Sequence, residues 1–152
     1  MKLRLNTPNV WLGVAWLTAL VATMGSLYLS EVWHFVPCEL CWYQRIFMYP
    51  LVVILGIASY RQQTVMVPYV LPVVAIGGCI SIYHIIIQKL PKNSDIAACG
   101  VGDVSCQDDY LYWFGWITIP MLALAAFVII AISLMQARRL DRGNEDTLES
   151  EA

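Results

Sequence analysis

The sequence predicts an all-α membrane protein, a bundle of four transmembrane helices with both termini in the cytoplasm and a redox-active outer loop. Three observations lead there. The 152 residues are 59% hydrophobic and only 13% charged, against about half and a quarter in an ordinary soluble domain. The apolar residues gather in four blocks, 11–30, 43–60, 65–88 and 113–136, each near the ~20 residues a helix needs to cross a bilayer. Lysine and arginine are unevenly shared among the connecting segments.

The first block, 11–30, follows Lys2 and Arg4. A cleaved leader would have the same basic start, but this apolar run is long and no clear small-x-small cleavage site follows it before Glu31, so it is expected to stay as a span. Its small residues Gly13, Ala15, Ala19, Ala22, Gly25 and Ser26 suit close helix contacts. The connection 31–42 is short and aromatic, and Pro37 suits the entry to the second span, placing Cys38 and Cys41 at its first turns. Pro50 lies inside the second block, where neighbouring helices can satisfy the freed carbonyl. A tight turn at 61–64 leads to the third block, bounded by Pro91. Segment 89–112, rich in Gly, Asp, Asn and Ser, is the sizeable soluble connection. Tyr110, Tyr112, Trp113, Phe114 and Trp116 form an aromatic belt into the fourth block. Residues 1–137 thus form the transmembrane domain, and 138–152 are expected to be a disordered cytoplasmic tail. Nothing in the chain supports a nucleic-acid role.

Lys2, Arg4, Arg61, Arg138, Arg139 and Arg142 fall on one side, Lys89 and Lys92 on the other, with Arg45 at the edge. The positive-inside rule then turns segments 31–42 and 89–112 outward. Cys38, Cys41, Cys99 and Cys106 all lie on that oxidising side, where thiols are expected to pair, as Cys38–Cys41 and Cys99–Cys106. Cys79 lies mid-span beside Gly77 and Gly78 and is expected to be a small buried residue at a helix contact.

The run Cys38-Glu39-Leu40-Cys41-Trp42-Tyr43-Gln44-Arg45 carries the chemistry. A Cys-x-x-Cys pair at a helix start, with an arginine one turn beyond, favours thiolate chemistry, because the helix N-terminus and a nearby cation both lower a thiol pKa. The structural alternative is an inert disulfide, and so small a ring removes little chain entropy. Cys99 and Cys106 enclose a Gly-containing connection that reads alone as a loop staple; beside the first pair it can shuttle disulfide equivalents. The rival for all four cysteines is zinc, but only the first pair has the spacing of paired zinc ligands, and Arg45 would repel the ion, so no metal is expected. Arg45 lies about 6 Å along the helix from Cys41, and His84 about 7.5 Å before Lys89. The two can share a depth and hold the oxygens of a quinone head group, with Gln44 as an orienting donor. The plain alternatives are a helix-contact histidine and an arginine reaching the lipid head groups.

The same run resembles the C-x-L-C-x-x-Q-R signature of the DsbB/BdbC family of membrane thiol–quinone oxidoreductases. The four spans, the two outward cysteine pairs, the histidine late in the third span and the Ile119-Pro120 step extend the resemblance over most of the chain. The close spacing of Cys99 and Cys106 is more similar to the BdbC branch. The resemblance implies a disulfide-forming oxidoreductase that reoxidises a DsbA/BdbD-like thioredoxin-fold oxidase and passes electrons through Cys41 to menaquinone or ubiquinone. A relay like vitamin K epoxide reductase and a non-catalytic metal-binding or scaffold protein are the alternatives.

Overall fold

The computed structural model describes residues 7–34, 37–89 and 118–150, with side chains as far as Asn144. Four long helices account for almost all of them: α1 (Pro8–Glu31), α2 (Glu39–Arg61), α3 (Val67–Lys89) and α4 (Ile119–Ser150). A single 3-10 turn, Thr64–Met66, leads into α3, and no strand occurs among the described residues. Each helix overlaps one of the four apolar blocks and is long and apolar enough to cross a membrane. The aromatic belt at 110–116 and the soluble segment 90–112 lie outside the described residues.

The ends of the helices are set by local chemistry. Pro8 occupies the first turn of α1, where its missing N–H is no loss. Pro120 does the same at the start of α4 and is fully buried. Cys38 is the N-cap of α2, with extended backbone. The other end of α2 closes on Gln62 in the left-handed region (φ 54°), whose N–H bonds back to the Ala58 and Ser59 carbonyls. The α4 helix runs on past the border at 137 to Ser150, whereas a disordered tail is expected there from sequence. No proline interrupts the segment, and the Thr64 hydroxyl donates to the Asp141 carboxylate, tying this extension to the turn before α3.

Each helix packs on its chain neighbours, and α4 closes the ring on α1. Side-chain contacts fix the directions. The start of α2 meets the end of α1 through Arg45 and Ser30, and the end of α3 through Cys38 and His84. The α4 extension reaches the start of α3 through Asp141 and Thr64. The result is an up-down-up-down bundle with Cys38 and Cys41 at one end.

The core holds Leu12, Leu51, Leu55, Val74, Phe127, Ile130 and Leu134, all nearly inaccessible. Close approach depends on small residues at two places. A Cβ on Gly77 would sit 2.4 Å from Phe127 Cζ, and one on Gly56 would sit 2.9 Å from Trp16 Nε1. Ala15 and Ala19 are fully buried against neighbouring helices, whereas Gly25 is exposed. Cys79 is exposed on the outer face of α3, contrary to its expected burial. At 100° per residue it stands far round the helix from Gly77, which makes the contact with Phe127 instead.

The outer surface of the bundle is as apolar as its interior. Leu17, Val21, Val53, Ile76, Ile86 and Ile132 all point outward, and only 17% of the most apolar stretch of α1 and 33% of those of α3 and α4 is buried. Apolar exposure on that scale is stable in hydrocarbon and unstable in water.

Candidate active site

The site is built where the N-terminus of α2 meets the C-terminal part of α3. Cys38 caps α2 and Cys41 lies in its first turn, so both sulfurs point to the same end of the bundle. They stand as thiols with Sγ atoms 3.2 Å apart, near enough for a disulfide to close by a small side-chain movement. Cys38 is buried and Cys41 half-buried. Ile87 and Leu40 pack around Cys38 and shield it.

Across the helix interface, His84 Nε2 lies 3.7 Å from Cys38 Sγ, and the imidazole is 1% exposed. The histidine therefore faces the first cysteine directly, a pairing the shared-depth estimate with Arg45 does not anticipate. Cys38 lies just ahead of the span, and its thiol is pushed up to about 12. The largest cause is the hydrogen bond it donates to Cys41, followed by burial, while His84 pulls the other way.

Arg45 is half-buried and turned toward α1, where its guanidinium donates to the Ser26 carbonyl (3.2 Å) and to the Ser30 hydroxyl. Ser26 and Ser30 are i, i+4 neighbours, so they share one face of α1. Sequence reasoning missed Ser30; its signal is a hydroxyl one turn after Ser26 near the end of an apolar helix. Gln44 is buried at 5% exposure and its side-chain nitrogen has no partner among the described residues.

These groups line one end of a cavity of about 580 Å³. Cys38, Cys41, Gln44, Arg45, His84 and Thr118 form its polar end. Leu17 and Val21 of α1 and Leu122 and Ile129 of α4 line it and are also exposed on the bundle surface, so it opens sideways between α1 and α4. Four buried polar atoms on its wall lack a partner among the described residues: Gln44 Nε2, Tyr49 OH, His84 Nδ1 and Thr118 Oγ1. Buried polar atoms are normally paired, so four unpaired ones around one space set it apart from the rest of the described interior. Tyr49 and Thr118 also escaped the sequence reading. Cys38 Sγ, Cys41 Sγ and a His84 nitrogen all lie within 4.8 Å of one another. Cys99 and Cys106, and with them the second pair and the four-cysteine zinc alternative, lie outside the described residues.

Known proteins resemble this chain over most of its length. The family model "Disulfide bond formation protein DsbB" matches residues 8–137. "Disulfide bond formation protein C" of Bacillus subtilis (strain 168) is 55% identical over 123 residues, covering 81% of this chain and 88% of the relative. "Probable disulfide formation protein C 1" of Bacillus anthracis is 51% identical over 118 residues, 78% of this chain and 84% of the relative. "Probable disulfide formation protein" of Coxiella burnetii (strain CbuK_Q154) is 46% identical over 129 residues, 85% of this chain and 88% of the relative. No solved structure gives a significant match. With its four apolar helices and its dithiol at one end, the chain belongs to the DsbB family and is a membrane oxidoreductase of disulfide bond formation.

Proposed function

We propose that the chain reoxidises an extracytoplasmic thioredoxin-like thiol oxidase and passes the electrons to a membrane quinone, menaquinone or ubiquinone. The observation that carries this reading is the position of the Cys38–Cys41 pair at the polar end of an apolar cavity open to lipid. A molecule with a polar ring and an apolar tail fits such a space. The Gln44, His84, Tyr49 and Thr118 atoms without a partner among the described residues are the hydrogen-bonding groups that ring oxygens would satisfy. The clustering of Arg61, Arg138, Arg139 and Arg142 at the opposite end supports an outward-facing cysteine end and cytoplasmic termini.

The chemistry is thiol–disulfide exchange. A thiolate of the reduced partner attacks the Cys99–Cys106 disulfide and forms a mixed disulfide. The partner's second thiol displaces it, leaving the partner oxidised and Cys99 and Cys106 as thiols. That dithiol reduces the Cys38–Cys41 disulfide in the same way. Reclosing Cys38–Cys41 releases two electrons and two protons, which the quinone accepts. His84 Nε2 stands beside Cys38 Sγ, placed to exchange a proton with it as its tautomer dictates, and Arg45, tied to Ser26 and Ser30, supplies fixed positive charge at the polar end.

The test is anaerobic mixing of the purified protein with a reduced thioredoxin-like oxidase and a soluble quinone. Quinol formation that requires Cys38, Cys41, Cys99 and Cys106 is the expected result. Full activity in Cys38→Ser or Cys41→Ser removes the pair from the reaction. Cys99→Ala is expected to block oxidation of the partner while leaving quinone binding intact, and the reverse pattern removes the shuttle role.

A further inference from the structure

We propose that reduced Cys38 and Cys41 form, with His84, an inhibitory zinc site that exists only while the pair is in the dithiol state. The proposal stands on the geometry of three ligand atoms and is independent of which acceptor takes the electrons.

The three atoms come from two helices and lie within 4.8 Å of one another. Tetrahedral zinc with Zn–S near 2.3 Å and Zn–N near 2.0–2.1 Å requires an S···N edge of about 3.5 Å and an S···S edge of about 3.8 Å. Cys38 Sγ and His84 Nε2 are already 3.7 Å apart. The sulfurs, at 3.2 Å, must open by roughly half an ångström to reach the tetrahedral edge. Cys41 is only half-buried, which leaves its side chain room for that adjustment.

Charge favours the ion despite the burial. Two thiolates cancel the charge of Zn²⁺ and the imidazole binds neutral, so the complex carries no net formal charge in a site where Cys38 is 8% and His84 1% exposed. Arg45, expected from sequence to repel a metal, has its guanidinium directed to Ser26 and Ser30 of α1. The cavity beside the three ligands leaves a fourth position for water, the pattern of open rather than structural zinc sites. Among the described residues His84 Nδ1 has no hydrogen-bond partner to orient the ring. Zinc ligands lacking that support bind about 10–100-fold more weakly, which suits a reversible inhibitor.

Ligation exchanges protons and no electrons: two thiols and Zn²⁺ give a zinc dithiolate and two protons. The disulfide has no thiolate to offer, so oxidation of the pair abolishes the site. Conversely, a zinc-held pair closes to the disulfide only after the metal leaves.

The experiment uses full-length Cys99→Ser/Cys106→Ser protein in detergent, reduced anaerobically. Equilibrium dialysis against Zn²⁺ is expected to give one ion per chain, and Co²⁺ in its place the intense thiolate-to-cobalt absorption of a tetrahedral site. Oxidation by diamide before dialysis removes both signals. His84→Ala weakens Zn²⁺ binding at least tenfold, and His84→Cys restores it. Zn²⁺ slows closure of the Cys38–Cys41 disulfide by diamide at least tenfold, reversed by EDTA. Absence of stoichiometric zinc in the reduced protein overturns the proposal, as does equal binding by the oxidised protein or by His84→Ala with its helices intact. Should His84→Ala fail to fold, the diamide experiment on the His84-containing protein decides, and closure at the same rate with and without Zn²⁺ overturns the proposal.

Discussion

The two ends of this bundle are built to opposite rules. Away from the cysteines, Leu12, Leu51, Leu55, Val67, Ile130 and Leu134 fill the interior, the buried Thr64 hydroxyl is paired with Asp141, and Gly77 lets Phe127, at the inner edge of the cavity, press against the α3 backbone. At the cysteine end the interior holds Gln44, His84 and two thiols around a cavity, and four buried polar atoms on its wall lack partners among the described residues. One end is packed to hold the helices together; the other leaves hydrogen-bonding capacity unmet among the described residues. An unmade buried hydrogen bond costs about 1–3 kcal/mol, so the second end is retained at the expense of stability. The difference teaches that clustered unpaired polar atoms, more than apolar volume, distinguish one end of this bundle from the other, since the remaining one among the described residues, Thr23 Oγ1, stands alone off the cavity wall.

That contrast can be broken in several ways. The largest effect is expected at the sulfurs: Cys41→Ser abolishes electron transfer while the thermal unfolding midpoint in detergent stays near that of the parent. Loss of activity accompanied by unfolding would instead make the pair a structural element. Next, Arg45→His removes the contacts to Ser26 and Ser30 and is expected to raise the quinone KM about tenfold, or roughly 1.4 kcal/mol of binding. An unchanged KM removes Arg45 from the polar end of the cavity. Gly77→Ala places a methyl into Phe127 and is expected to destabilise the bundle by about 1–3 kcal/mol, whereas Gly25→Ala, with nothing within 4 Å, changes stability little. Equal midpoints for the two variants would show that the packed end is looser than described. Gln44→Leu separates the two rules in one residue: it removes a buried amide whose nitrogen is unpaired among the described residues, so the bundle is expected to gain about 1 kcal/mol while the quinone KM rises. The smallest effect is kinetic. Because Cys38 is buried and its thiol keeps its proton to about 12, iodoacetamide at pH 8 is expected to label Cys41 first, and labelling of Cys38 to begin only as pH approaches that value. Equal labelling at pH 8 contradicts the shielding of the Cys38 thiol.

Much of this was legible in the sequence. Four apolar runs of bilayer length define four helices, and a proline followed by Cys-x-x-Cys places the thiols on the first turn of α2. What the sequence leaves open is rotation. When a helix is apolar on every face, periodicity does not say which residues turn inward, and Cys79 illustrates it by facing out while Gly77 makes the contact. Partners across helices are hidden for the same reason. His84 meets Cys38, Arg45 meets Ser26 and Ser30, and Tyr49 and Thr118 join the cavity wall only because of how α1 to α4 are turned. The extension of α4 to Ser150 was masked by its polarity, since the charged residues after Ala137 read as a solvated tail although good helix formers such as Arg138, Arg139 and Leu140 lie among them.

The most direct measurement is a single turnover between the isolated pair and its acceptor. Reduced Cys99→Ser/Cys106→Ser protein is mixed anaerobically with a soluble quinone, and quinol and the Cys38–Cys41 disulfide are counted together. One quinol per disulfide, with none from Cys41→Ser, is the predicted result. Quinol without the disulfide, or no quinol from a pair that diamide still closes, would contradict transfer from this dithiol to a lipid-borne acceptor.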